Sequence, residues 1–416
     1  MQRKVVYAAV TNPSFERGSQ DLAELAEAHV PAKEVERIAK GIGRERCAER
    51  DAAAAAYLAL PLVERKRAPE GVTPPDLAVV GTDGGRLQIF DRRAATAAEP
   101  PTPSEPALED DDPRRRGRHW REDKVGLLMA MQSKVSAVDP CPDVPEGFRD
   151  PTRMGKLVRE LRKGVPLAEE PARPADDPDA DREPLQAAGP AWEPPAVLHK
   201  RLVASRRPWE EFGPLVAAAA WSMGLFAAPR RAFLGDGAEN NWTLWRARFA
   251  SFVPVLDFIH ALSYVYAAAH AGRGRSEGWV CYVRWIGWVW GGQVAAVLEE
   301  LEQRQAALGV PTEQDKETSP RAVVGQALTY LRNNMGRMKY AEYRRQGLPI
   351  TSSYVESAVK QFNQRVKGTE KFWSEEGAEA ILQLRADHLS DDKPLEAFWE
   401  RRQARQTGQR PYRRVG

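Results

Sequence analysis

The chain has 416 residues, 61 Lys+Arg against 58 Asp+Glu, a formal net charge of +3 and 42% hydrophobic residues. That length suits two or three domains, the near-balance of charge excludes a uniformly basic, histone-like protein, and 32 prolines point to unstructured connections. Three cysteines (Cys47, Cys141, Cys281) form no CxxC pair, which excludes a zinc ribbon or finger and argues against a disulfide scaffold. A reduced, cytoplasmic protein is expected. The start, MQRKVVYAAVTNPSFERG, carries charge at once and has no long apolar core, so no signal peptide is expected.

Residues 14–46 predict two short helices. Phe15, Leu22, Leu25 and Ala26 form one apolar stripe, His29-Val30-Pro31 breaks it, and Val35, Ile38 and Ile42 form a second that ends at Gly41 and Gly43. Two helices around a three-residue break match a helix-turn-helix, and equally a helical hairpin that touches no DNA. Residues 76–90, DLAVVGTDGGRLQIF, predict a β-hairpin with Gly84-Gly85 at the turn. The stretch at about 94–118 is rich in Pro, Ala and charge and reads as a solvated insertion; 124–132, KVGLLMAMQ, is the next strand candidate. Little regular structure is expected over 136–195, which holds many prolines and the acidic ADDPDADREP, and a Pro-rich insertion is expected over about 136–207.

From 208 onward the pattern is denser. A helix at about 209–227 precedes a strand at 231–235, a short helix at 239–248, a strand at 252–258 and a helix beginning near His260. Residues 278–307, 319–345 and 352–366 read as helices, and the remainder as helix ending in an arginine-rich tail. Residues 279–298 approach the ~20 apolar residues of a bilayer span. Arg284 and Gln293 interrupt that run, so a packed helix and no membrane contact are expected. Of Trp279, Trp285, Trp288 and Trp290 in this run, at least three read as core.

Three acids stand where catalytic carboxylates are found. Asp83 and Asp236 each end a strand just before Gly, and Glu356 lies in the first turns of a helix after Thr351-Ser352-Ser353. Each alone fits an ordinary turn or helix-terminus charge. If they converge, two carboxylates ~4 Å apart repel by ~4 kcal/mol at an effective dielectric of ~20. A hard, oxygen-seeking cation such as Mg²⁺ resolves that repulsion. Two such ions activate a water or 3′-hydroxyl and stabilise the leaving oxygen of a phosphodiester. Asp236 and Glu356 are 120 residues apart, too far for a simple strand–helix connection, so a helical segment must intervene. Arg332, Arg337, Lys339, Arg344 and Arg345 precede Glu356. Lys360, Arg365, Lys367 and Lys371 follow it and are candidates for phosphate contact.

The stretches VVGTDGGRLQI, FLGDGAENNW, VLDFIHAL and ITSSYVESAVKQFNQRVKGTEKFW, in that order, resemble a DDE transposase of bacterial insertion sequences. The closest type is the ISKra family, and the catalytic segment is also similar to the Mutator and hAT groups. The segments SFERGSQDLAELAEAHVPAKEVERIAKGIG and RHWREDKVGLL share the likeness. It covers roughly residues 12–132 and 208–390. It implies an α/β fold: a ribonuclease H-like catalytic core interrupted by an all-helical insertion domain, with a small helical N-terminal region. In domain terms, 1–70 is the N-terminal region, 71–261 the first part of the core, 262–345 the insertion, 346–390 the part of the core carrying Glu356, and 391–416 a basic tail. Asp83, Asp236 and Glu356 would hold two Mg²⁺ or Mn²⁺ ions. Asp257 and His260 match the family's D-x-x-H motif, and His260 would support the fold or position DNA near the active site. An aromatic residue of the insertion can, in related transposases, stack on an extruded base.

The implied protein is bacterial and nucleoid-associated, and acts as a homo-oligomer on double-stranded DNA, at element ends and target. The family carries a longer N-terminal region with paired cysteines, which this chain lacks. Two alternatives follow: a ribonuclease H-like nuclease without strand transfer, and a truncated, non-catalytic DNA-binding remnant.

Overall fold

A computed structural model of the chain describes residues 1–90, 118–162, 193–368 and 371–407. It is a mixed α/β structure around one six-stranded sheet. Strand β1 (Leu77–Phe90) pairs antiparallel with β2 (Arg118–Gln132) along its whole length, from Leu77 opposite Met131 to Phe90 opposite Arg118. Strand β3 (Ala196–Ser205) lies antiparallel on the far side of β2. On the other edge of β1 the pairing is parallel. There β4 (Arg230–Gly235) runs beside Leu77–Gly81, and β5 (Val253–Leu256) runs beside β4. The order is β3-β2-β1-β4-β5, and the two-residue β6 (Phe372–Trp373) pairs with β1 at Gln88 and Ile89. One edge of β1 is therefore shared between β4 and β6, and Asp83 falls in the gap between them.

Several expectations are corrected here. Residues 76–90 do not turn back at Gly84-Gly85; β1 is one continuous 14-residue strand. Its antiparallel partner is β2, and a side chain at Gly85 would run into the Asp123 carboxylate of that strand. The stretch 136–195 is not devoid of regular structure, because it holds a helix at Pro151–Leu161, and the Pro-rich insertion expected over about 136–207 contains all of β3. Residues 163–192 and 94–117 lie outside the described residues. Helix α1 (Gln2–Thr11), α2 (Phe15–Ala26) and the 28-residue α3 (Ala32–Ala59) form the N-terminal part. The first was not anticipated, and α3 runs straight through Gly41 and Gly43.

The helix at Pro151–Leu161 is α4, capped by Asp150, and α5 (Trp209–Ser222) precedes β4. Helix α6 (Glu239–Arg248) joins β4 to β5. After β5 come α7 (Phe258–His270), α8 (Arg275–Trp290), α9 (Val294–Leu308), α10 (Pro320–Asn334) and α11 (Tyr340–Arg345). The two long helical patterns expected at 278–307 and 319–345 are thus each broken, the first by the glycines at 291 and 292. Trp285 and Trp290 of α8 are fully buried, while Trp279 and Trp288 are half-buried against the core. Among the described residues no helix is long and apolar enough to cross a membrane. All three cysteines are free.

Helix α12 (Ser353–Val366) returns to the sheet; α13 (Glu375–Leu389) and α14 (Pro394–Thr407) close the described chain. Part of the expected basic tail is therefore helix, and Arg401 and Arg402 pair with Glu49 and Glu45 of α3 rather than hanging free. The sheet is covered on both faces. Phe212 and Val216 of α5 meet Gly126 of β2 on one side, and Val355 of α12 meets Gly81 of β1 on the other. A Cβ on Gly81 would lie 2.5 Å from Val355 Cγ2, so only glycine lets α12 seat this close. Val355, Ala358, Val359, Phe362 and Val366 are buried beneath that helix. At about 1.5–3 kcal/mol for each large apolar side chain, that stripe fixes the helix firmly on the sheet.

Candidate functional site

The close seat of α12 matters because Val355 adjoins Glu356 and Gly81 stands two residues before Asp83. Residues two apart in a strand share a face, so Asp83 lies on the α12 side of the sheet. Its Oδ1 accepts a hydrogen bond from Gly84 N at 2.7 Å. Burial, ahead of the Asp236 charge, raises its carboxyl to about 6, against the pull of Gly84.

Asp236 is the first residue beyond β4. Because Gly81 pairs with Leu234 in parallel register, Asp236 and Asp83 stand level on neighbouring strands. Asp236 Oδ1 accepts from Ala238 N at 2.9 Å and from Asn241 Nδ2 at 2.8 Å. Asn241 in turn accepts from the Thr82 hydroxyl at 2.7 Å. Thr82 points to the opposite face from Asp83 and so ties the two acidic strands together from behind. Asp236 Oδ2 accepts no hydrogen bond among the described residues.

Glu356 is half-buried on α12. Its carboxyl is raised by burial first and by Asp257 next, while His260 and Lys360 oppose the rise. Asp257, His260 and Glu356 each present a donor atom within 4.8 Å of one another, and they are the group of described residues that closes to that distance. Asp83, Asp236 and Glu356 share one corner of the fold and feel one another's charge without closing to that spacing.

Chemistry argues against Asp257 as a metal ligand. It is fully buried and already bonded. Its Oδ1 caps α7 through Ile259 N and His260 N, and its Oδ2 accepts from Ser352 N at 2.7 Å and from the Ser352 hydroxyl. His260 Nδ1 lies 3.8 Å from Asp257 Oδ2, an ion-pair distance rather than a hydrogen bond. Burial opposes a charge on His260, but Asp257, then Asp236 and Glu356, outweigh it and raise the imidazole to about 9. His260 is therefore a cation at neutral pH and shields the acidic corner. Asp257 and His260 form a brace between α7 and the start of α12. The oxygens still open for a hard cation belong to Asp83, Asp236 and Glu356, and that all-carboxylate donor set fits Mg²⁺ or Mn²⁺.

The basic residues divide sharply. Lys360 and Lys367 are exposed, and Lys360 stands one helical turn from Glu356. Arg365 must be withdrawn as a DNA contact. It is 2% exposed, donates to Ala9 O at 2.7 Å, and lies 4.4 Å over the Phe15 ring. Burial and then Arg385 push its guanidinium down to about 10. Lys371 is half-buried, and its ammonium caps the C-terminus of α12 at the carbonyls of Gln364 and Arg365. Upstream, Arg344 is fully buried against Asp139, and Arg332 pairs with Glu302.

Sequence reasoning missed Asp123. This β2 carboxylate pairs across from Gly85, so it shares the α12 face with Asp83. It is 1% exposed, and neither oxygen has a hydrogen-bond partner among the described residues. Burial raises its carboxyl to about 6, against the pull of its own backbone, Lys124 and Lys367. Its place in an unbroken β-ladder hid it, since the Gly-Gly pair opposite read as a turn. Asn241 was missed as well, although Asp236-x-x-x-x-Asn241 places both side chains around one helix start.

Compared with models of known protein families and with curated proteins, the chain finds no match.

Proposed function

We propose that the chain is a DDE-type transposase with a ribonuclease H-like core, cutting DNA and joining its ends with two divalent ions held by Asp83, Asp236 and Glu356. The observation that carries this reading is the level placement of Asp83 and Asp236 on neighbouring parallel strands, with Glu356 brought onto the same face by α12. The strand order, three antiparallel strands followed by two parallel ones, supports the reading as a ribonuclease H-like sheet. The helices α7–α11 between β5 and α12 are consistent with the helical insertion expected at 262–345.

Bound Mg²⁺ would polarise the scissile phosphate and lower the pKa of the attacking water or 3′-hydroxyl. The chain's own part is orientation. Asn241 and Ala238 N fix Asp236 Oδ1, which leaves Oδ2 as the open donor. Gly84 N fixes one oxygen of Asp83. His260 supplies positive charge beside Glu356 and eases the repulsion among the acids. Lys360 and Lys367 lie on the exposed side of the same helix and its end, placed for the phosphates of a DNA strand.

The test is Mg²⁺-dependent cleavage of DNA carrying the element's flanking ends, with the native chain and Asp236→Asn compared. Cleavage by the native chain, lost about 10³-fold in a variant of unchanged Tm, is expected. Joining of the freed 3′-hydroxyl to target DNA separates a transposase from a nuclease of the same fold. A native chain that binds DNA yet cuts with neither Mg²⁺ nor Mn²⁺ overturns the proposal in favour of a binding remnant.

A further inference from the structure

Asp236 is gripped from a second direction, by a helix 94 residues further along the chain. The Tyr330 hydroxyl of α10 donates to the Asp236 backbone carbonyl at 2.6 Å. The next residue, Gly237, has φ +99°, and a Cβ there would lie 2.5 Å from the Tyr330 ring. Glycine at 237 thus serves two ends: it permits the left-handed turn and lets the ring close on the acid's backbone.

Tyr330 does not stand alone. Its ring stacks on Tyr264 of α7 with centroids 3.7 Å apart and planes 9° apart. The Arg162 guanidinium, just beyond α4, lies 3.8 Å from the Tyr264 ring centre, and sterics leave it the opposite face. Arg162 Nη2 also reaches back to Gln326 Oε1 of α10 at 3.0 Å. Three planar groups from three separate segments form one column, and its last polar atom rests on Asp236. The column borders a cleft of about 860 Å³ that Trp242, Asn333 and Arg337 also line. Stacked planar groups resist lateral displacement better than aliphatic contacts do, and each such pair contributes beyond its buried area.

We infer that the Arg162–Tyr264–Tyr330 column is a positioning device for Asp236. It sets the backbone from which the open Oδ2 projects, and so couples the helices α4, α7 and α10 to the metal affinity of the site. Tyr330 is a positioning residue, not a catalytic one. The inference rests on the proposal that Asp236 binds the divalent ion.

The experiment measures Mn²⁺ binding by the full chain, from the free-ion electron paramagnetic resonance signal, together with Tm. Four proteins are compared: native, Asp236→Asn, Tyr330→Phe and Arg162→Gln. Tyr330→Phe keeps the ring and its stack and removes only the hydroxyl. A lost neutral hydrogen bond corresponds to about a three- to tenfold weaker Mn²⁺ affinity, with Tm little changed. Arg162→Gln, which removes only the outermost member, is expected to weaken affinity about two- to threefold in the same direction. Native affinity in both variants, with Asp236→Asn defective, overturns the column and leaves the metal site standing. A fall in Tm without a change in affinity shows plain packing and also overturns it. If the native chain binds no Mn²⁺, or Asp236→Asn binds it as well as the native chain, the metal reading itself fails.

Discussion

Two β–α junctions in this molecule begin alike and end differently. Asp236 follows β4 and Asp257 follows β5; each turns the chain into a helix by accepting backbone N–H groups two or three residues on. Asp257 is the N-cap of its helix, whereas Asp236 stands two residues before the cap position, Ala238, and closes a turn onto that residue's N–H. The difference comes from what returns in space. At Asp257 the segment before α12 delivers the Ser352 N–H and hydroxyl to the second oxygen, and exposure falls to zero. At Asp236 the first oxygen takes Asn241 as well, while the second stays open and the residue half-buried. One local pattern therefore yields a sealed brace and an available ligand. The deciding contacts come from residues about a hundred positions away.

The strongest way to break this comparison is Asp257→Ala. It leaves Ile259 N, His260 N and both Ser352 donors without their acceptor, at a cost of about 3–5 kcal/mol in denaturant unfolding. Burial raises the Asp257 carboxyl, but His260 and Ser352 lower it more, and the net folded value is depressed. The brace then contributes above the ordinary carboxyl range and is lost as pH falls through the folded value, so the penalty of the substitution should shrink toward acid pH. A loss below about 1 kcal/mol at pH 7 would rule out a brace.

Asp123→Asn sharpens the contrast from the other side, because Asp123 is a buried carboxylate that received no partners. A folded value of about 6 lies above the ordinary carboxyl range. The fold therefore loses stability as pH rises from about 4 through about 6 and carries a constant penalty above that. Some two pH units correspond to about 3 kcal/mol at most. Denaturation at pH 8 should show Asp123→Asn more stable than the native chain by a part of that amount. At pH 4 the two should nearly coincide, and equal gains at both pH values would remove charge as the cause.

These contrasts also mark how far the sequence could be read. The strand before Asp236 was legible because a short apolar run stops at a turn residue; the next strand was legible too, but it was expected to run to 258 and instead ends at Leu256, where Asp257 starts the helix. The intervening helical stretch was legible as well, from its 3.6-residue pattern. The Gly84-Gly85 hairpin was misread because the true partner strand lies beyond a long insertion, and local turn chemistry was then the only signal. Strand β3 was hidden in a Pro-rich, charged stretch, and its first half is largely solvent-facing. Which strand ends carry acids was visible in one dimension. Which of those acids is already satisfied depends on Ser352, 95 residues from Asp257, and no local pattern links the two; Asn241, only five residues from Asp236, was the partner a local reading could have found.

The smallest effects separate Lys360 from Arg365, five residues apart on α12. Arg365→Ala removes a cation that holds α1 through the Ala9 carbonyl and covers Phe15 and Trp373, so it should lower stability by about 2 kcal/mol. DNA binding by the folded fraction should keep its salt dependence. Lys360→Ala should do the reverse: Tm holds, and the slope of log affinity against log salt falls by about one, the release of a single phosphate contact. Binding titrations on one duplex at several salt concentrations give both slopes. An unchanged slope for Lys360→Ala would leave that lysine a solvated helix residue and turn attention to Lys367, the other exposed cation at the end of the same helix.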